Sequence, residues 1–256
     1  MSKPQRRFGR LGVNVVERSQ AEREVAAEIV RILVAQTRNM RRSVLGFATG
    51  KSPTGLYAEL ARLHGEGAFD TEMFFPIQLD EYVGLEPDDP RSFRAWLIAH
   101  VMEPLGVNPV TLLGPPGNLS EDVEEAVLMA FDALLTSLKG MDLLVLGLGR
   151  NGHIAFNEPG SERSSRTRRV ELAPETRADA AAAWGGLEHV PTHAVTLGVA
   201  TLLESSRVRM LAFGAAKRDA VKRTLTGPIS PEWPASFLRQ HNDALLYVDA
   251  EAFGDA

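Results

Sequence analysis

The stretch GLGRNGHIAFNEP, residues 147–159, brings Asn151, His153 and Glu158 within eight positions of one another. A carboxylate near an imidazole can fix its tautomer and raise its basicity, so His153 with Glu158 can act as a proton-transfer pair. Asn151 is no base and can only orient or bind. By pattern alone His153 stays open between a structural histidine, a catalytic one and a metal ligand. A second stretch, QLDEYVGL at 78–85, ends an apolar run in Asp80 and Glu81. A carboxylate in the position of Asp80 can take a proton from carbon beside a carbonyl or imine; the plainer alternative is an aspartate capping its own turn. Glu81 and Tyr82 read as residues that hold this loop against a neighbour. A third stretch, ATGKSPTG at 48–55, has the makings of a phosphate site. Gly50 lets the backbone approach a ligand and Lys51 adds charge. Ser52 is predicted to cap a helix whose first residue is Pro53. Free N–H groups at such a helix start can hold a phosphate, the alternative being a plain capped helix. Arg177 in ETRAD and Lys217 in FGAAKRDA can complete the pocket, though each alone also reads as a surface residue.

Other chemistries find no support. The GxxxxGK[ST] spacing of a Walker loop is absent, as are HExxH and GxSxG. GLGRNG has the shape GxGxxG, but it lies mid-chain and no well-placed acid follows, which argues against a dinucleotide site. With no cysteine among 256 residues, disulfides, thiolate catalysis and thiolate zinc sites are excluded. The remaining histidines, His64, His100, His189, His193 and His241, do not form a ligand set by spacing. A net charge of −5 argues against nucleic acid, whose binding rests on neutralising phosphates. No apolar run approaches the length of a membrane span. The basic start, MSKPQRRFGR, leads into no apolar signal core, so a cytoplasmic location is the expectation.

The elements that must position these loops alternate along the chain. A helix is predicted over 20–37, and strands at 44–47, 75–79, 141–146, 193–198, 208–213 and 244–248. Further helices are predicted after ATGKSPTG, near 91–103, and from Ser120 onward with Val123, Val127, Phe131, Leu134 and Leu138 as the buried face. The alanine-rich 178–183 also reads as helix, and 106–119 as loop. This alternation predicts an α/β fold: a Rossmann-like, largely parallel sheet flanked by helices on both faces. Residues 1–256 read as a single domain. In such sheets sites form beyond the carboxyl ends of the strands, where 49–54, 80–84 and 149–158 fall.

Taken together, ATGKSPTGLY, QLDEYVGL, GLGRNGHIAFNEPGS, SSRTR, ETRAD, VPTHAVTLGVATLL and PASFLRQH resemble the glucosamine-6-phosphate deaminases, within the wider group that includes the 6-phosphogluconolactonases. The pieces run in family order from about residue 45 to 248. The lactonase branch usually carries a DGHTAS-like stretch where this chain has NGHIAFNEP. The resemblance implies conversion of glucosamine 6-phosphate and water to fructose 6-phosphate and ammonia, with no organic cofactor and no catalytic metal. It implies Asp80 as the base moving a proton between C2 and C1, and His153 as the ring-opening residue. Glu158 is then the charged partner of His153, and Asn151 orients His153 or binds the sugar. Gly50, Lys51, Ser52, Arg177 and Lys217 fall on the phosphate pocket, Lys51 standing where a small residue is expected. Trp184 stands in for paired phenylalanines over the site. A phosphosugar is the expected partner, with no nucleic acid or membrane, and a homo-oligomer stays open. Galactosamine 6-phosphate, 6-phosphogluconolactone and a non-catalytic sugar-phosphate sensor are the rival readings.

Overall fold

The structure, a computed structural model, describes residues 5–254; the first four residues of the basic N-terminal stretch lie outside them. In chain order the elements are β1 (Arg6–Phe8), β2 (Leu11–Val15), α1 (Arg18–Arg38), β3 (Ser43–Phe47), α2 (Thr54–Gly65), β4 (Phe74–Gln78), β5 (Asp80–Tyr82), α3 (Phe93–Leu97), α4 (Glu121–Ser137), β6 (Leu143–Gly147), β7 (Arg168–Glu171), α5 (Pro174–Trp184), β8 (His193–Thr196), α6 (Val199–Leu203), β9 (Val208–Ala212), α7 (Arg218–Thr226), β10 (Ala244–Val248) and α8 (Ala250–Phe253). Seven strands form one sheet in the order β1-β2-β10-β9-β6-β3-β4. Every pairing in it is parallel except β1 with β2.

The apolar runs are the reason this sheet is covered on both faces. Side chains alternate across a strand, so an unbroken apolar run feeds two cores at once. Val44, Leu144, Leu146, Met210 and Leu246 pack into one core with α4, α7 and α8. Their neighbours Leu45, Leu143, Val145, Leu211 and Leu245 pack into the other with α1 and α2. The predicted α/β fold is thus observed.

Three corrections concern local detail. Helix α2 begins at Thr54, with Pro53 as the flanking residue and no side-chain cap, so Ser52 is not its cap. The Thr54 hydroxyl instead donates to the carbonyls of Gly50 and Lys51, each at 3.2 Å. Helix α4 starts after Ser120 as predicted, but its buried residues are Leu128, Phe131 and Leu135, while Val123 and Leu134 are exposed. Finally, a second, three-stranded antiparallel sheet, β5-β8-β7, was not anticipated. It pairs Asp80 with Thr196 and so ties the end of the second motif to a strand more than a hundred residues away. Tyr82, Phe156, Leu172 and Val190 pack beside it with Phe93 and Trp184.

Candidate active site

The carboxyl ends of β3, β4, β6 and β9 open onto one cavity of about 290 Å³. Thr49 and Gly50 reach it from β3, Asp80 from just past β4, and Leu148, Gly149 and His153 from β6. Lys217 comes from the turn after β9, and Thr176, Asp179 and Ala180 cover it from α5. Phe93, Ala155 and Phe156 supply apolar wall. The volume lies at the small end of the range for ligand sites.

Asp80 is 6% exposed. Burial pushes its carboxyl well above the ordinary value, and the neighbouring Glu81 charge adds to the rise. Glu81 is itself fully engaged. Its two oxygens accept from the backbone N–H groups of Tyr82, Phe93 and Arg94 and from the Gln78 amide, at 2.9–3.0 Å. It therefore ties β5 to the start of α3, as its loop-holding role predicted.

Around His153 the imidazole Nδ1 lies 3.6 Å from Glu158 Oε2 and 3.2 Å from the Thr176 hydroxyl. With Nδ1 occupied on that side, Nε2 is the nitrogen left for a ligand. Burial raises the Glu158 carboxyl, but hydrogen bonds from His153, Thr176 and Asn151 and the His153 charge outweigh it and hold the group below its ordinary value. The Asn151 amide donates to Glu158 Oε2 at 2.8 Å. Its Oδ1 accepts from the His153 backbone N–H at 3.2 Å, so Asn151 links His153 to Glu158, and it lines the adjoining cleft rather than the cavity. Gly149 permits this geometry, because a Cβ there would overlap the His153 ring.

The Lys217 ammonium donates to the Leu148 carbonyl at 2.6 Å. Burial lowers its pKa, Asp179 raises it and Arg150 lowers it. Gly50 sits at φ +94° with open space where a Cβ would be, a conformation that favours glycine. The other predicted phosphate residues are not at the wall. Lys51 is exposed, and its carbonyl accepts from Arg18. Ser52 is half-buried and accepts weakly from Arg18. The Arg177 guanidinium donates to the carbonyls of Leu187 and Val190 at 3.2 and 3.0 Å, its Nε buried without a partner. Thr176, Asp179 and Ala180 share one helical face by their i, i+3, i+4 spacing, and residue 177 is turned away from it.

Thr176 and Asp179 escaped the sequence reading, although the helical spacing within ETRADA was a signal for them. Trp184 is not in the wall; it packs edge-on against Tyr82 at 5.1 Å, behind Phe93 and Phe156. Among the described residues no group of three or more histidines and carboxylates could hold a metal ion, and no helix is long and apolar enough to cross a membrane.

A profile of the family described as glucosamine-6-phosphate isomerases/6-phosphogluconolactonase matches residues 17–247. A glucosamine-6-phosphate deaminase of Streptomyces avermitilis is 41% identical over 241 residues, covering 94% of this chain and 90% of that protein. One from Rhodopirellula baltica is 37% identical over 243 residues, covering 94% and 96%. Among solved structures, a monomeric glucosamine-6-phosphate deaminase superposes with a TM-score of 0.88 at 34% identity, covering 94% of this chain and 98% of that one. A 6-phosphogluconolactonase from Trypanosoma brucei shares the fold, with a TM-score of 0.74 at 20% identity and coverage of 94% and 97%. The profile match over residues 17–247 and the relatives of about 40% identity along most of its length show that the chain belongs to the glucosamine-6-phosphate isomerase/6-phosphogluconolactonase family.

Proposed function

We propose that this protein is a glucosamine-6-phosphate deaminase, converting glucosamine 6-phosphate and water to fructose 6-phosphate and ammonia. One observation carries the reading: Asp80, His153 and Lys217 line the same cavity. His153, held at Nδ1 by Glu158 and Thr176, moves the proton that opens the pyranose ring at its oxygen. The open form has an aldehyde at C1, which acidifies the C2 proton. Asp80 removes that proton and returns it to C1, while O1 gains the proton that the amine gives up, so C1 becomes a hydroxymethyl group and the C2 amine an imine. Water adds to the imine and ammonia leaves. Lys217 holds the phosphate, whose binding energy positions the reacting carbons.

Support for the roles is geometric. Burial makes Asp80 a stronger base than a solvated aspartate. Gly50 and Thr49 bring backbone to the cavity that Lys217 lines, and Asn151 braces Glu158. Lys51, Ser52 and Arg177 do not line this cavity. We read both sheets as one functional domain, because the loops and strands of both frame one cavity. The same reading makes the protein a cytoplasmic enzyme of amino-sugar breakdown, independent of metal and organic cofactor.

The test is ammonia release with fructose 6-phosphate detected in parallel, from glucosamine 6-phosphate, with galactosamine 6-phosphate and 6-phosphogluconolactone beside it. Equal amounts of ammonia and fructose 6-phosphate from the gluco compound are expected. Acid from the lactone without ammonia from either amino sugar overturns the proposal.

A further inference from the structure

Asp179 is an acid in the wall of a cavity that the proposed function assigns to a phosphate. A fixed negative charge there repels a dianion unless something cancels it. The cancelling group is Arg150. Its Nε donates to Asp179 Oδ2 at 2.9 Å and its Nη2 to Oδ1, a two-pronged, charge-assisted pair. Arg150 is not itself in the cavity wall. It lines the adjoining cleft with Asn151 and Glu158, so it reaches Asp179 from behind.

The pair joins the loop before His153 to helix α5, yet it is not built like a packing element. Its side chains are 53% and 42% exposed, and such pairs contribute little to stability. What it does reach is the cavity's lysine. Asp179 and Arg150 act in opposite directions on the half-buried Lys217 ammonium, so both lie within its electrostatic range.

We propose that Arg150 is a specificity-determining residue for the phosphate end of the site: it masks Asp179 and so admits a phosphate beside Lys217 without touching the phosphate itself. The inference rests on the phosphate reading of this cavity. With Asp179 masked, one acid fewer in the wall opposes the lysine's attraction for a dianion. With Asp179 unmasked, its charge offsets the lysine's, and a dianion gains less by entering.

The test uses R150Q, D179N and the R150Q/D179N double variant of the full chain, with K217A beside them. Two quantities are read: the dissociation constant of inorganic phosphate by titration calorimetry, and KM and kcat for glucosamine 6-phosphate. R150Q is expected to raise the phosphate dissociation constant and KM about fivefold. Salt at about 0.5 M should erase most of that rise. D179N should lower both constants, and the double variant should return to within about twofold of the parent. A double variant as weak as R150Q alone overturns the inference, because Arg150 then contacts phosphate or anchors α5. A fall in kcat with unchanged phosphate binding also overturns it, because the pair then only positions Thr176 against His153. If K217A binds phosphate as the parent does, the phosphate reading itself fails, and this inference with it. If K217A weakens binding while the double variant does not recover, only this inference falls.

Discussion

At the residue scale, the two carboxylates of the site are shifted in opposite directions from their ordinary pKa values. Asp80 is held above its ordinary pKa by burial and by Glu81. Only the ionised form takes a proton, so kcat/KM should fall as pH drops through that raised pKa, on a limb above the usual carboxylate range. A pH profile of ammonia release checks this. D80N should lower kcat about 10³-fold while inorganic phosphate still binds; normal turnover removes Asp80 from the base's role. The same burial works against the fold. A raised native pKa means the folded chain holds the proton more tightly than the unfolded one. Asp80 therefore stabilises fully below its ordinary 3.8, and that contribution is lost as pH rises through the native value. D80N should raise Tm at neutral pH and not at acid pH. Glu158 is the reverse case: its stabilisation is present above the ordinary 4.5 and lost as pH falls through the depressed native value. E158Q should lower Tm at neutral pH, with the difference vanishing in acid, as paired melts would show. Asp80, His153 and Glu158 stand out in the sequence because each falls in a polar stretch that follows an apolar run. Arg177 and Thr176 are adjacent in sequence, and which of them faces the cavity is a matter of helix rotation that composition does not encode.

At the scale of elements, the loop from β6 to His153 turns back on itself tightly enough for Gly149 to touch the imidazole. The G149A side chain must displace the ring. A misplacement of about 1 Å can cost on the order of 10²-fold in rate. We expect kcat to fall by about that factor while phosphate binding, governed at the Lys217 end, changes little; steady-state kinetics with a phosphate titration checks it. Helix α4 shows why a periodic pattern can give the right element and the wrong face. It carries apolar pairs at Val127, Leu128 and at Leu134, Leu135, so two adjacent stripes compete. Asp132 decides between them: its carboxylate accepts from the Thr167 N–H and hydroxyl and from the Thr201 hydroxyl at 2.7–2.9 Å. Those partners lie 35 and 69 residues away, beyond any local pattern. Strands β5 and β7 have three and four residues. So short a run has too little alternation to be read, and it becomes a strand only when β8 pairs with both.

For the whole molecule, the central sheet is pinned to α1 through one buried ion network. Arg209 on β9 is fully buried, and its Nε and Nη2 each donate to Glu28 at 2.7 Å while its Nη1 donates to Asp243 at 2.9 Å. Removing one partner of a buried pair strands a buried charge, at about 3–5 kcal/mol, and Arg207 Nε, 3.7 Å from Glu28 Oε1, offsets part of that cost here. R209M should therefore lower Tm by roughly 6–20 °C, and E28Q added to it should restore part of the loss; calorimetry of both variants checks it. The sequence carried no warning of this pair, since Arg209 interrupts an otherwise apolar strand and Glu28 sits on a helix 181 residues earlier. By itself the sequence determined the succession of buried strands and covering helices, and the loops in which Asp80, His153, Glu158 and Lys217 stand. Apolar run length, periodicity and turn residues act over a few positions, so they are written locally. Tertiary structure alone decided that four strand ends open onto one cavity, and that α5 lays Thr176 and Asp179 over it while Arg177 turns to Leu187 and Val190. Those outcomes depend on parallel pairing between distant strands and on the rotation of a helix about its axis, which are set by packing and by long-range hydrogen bonds.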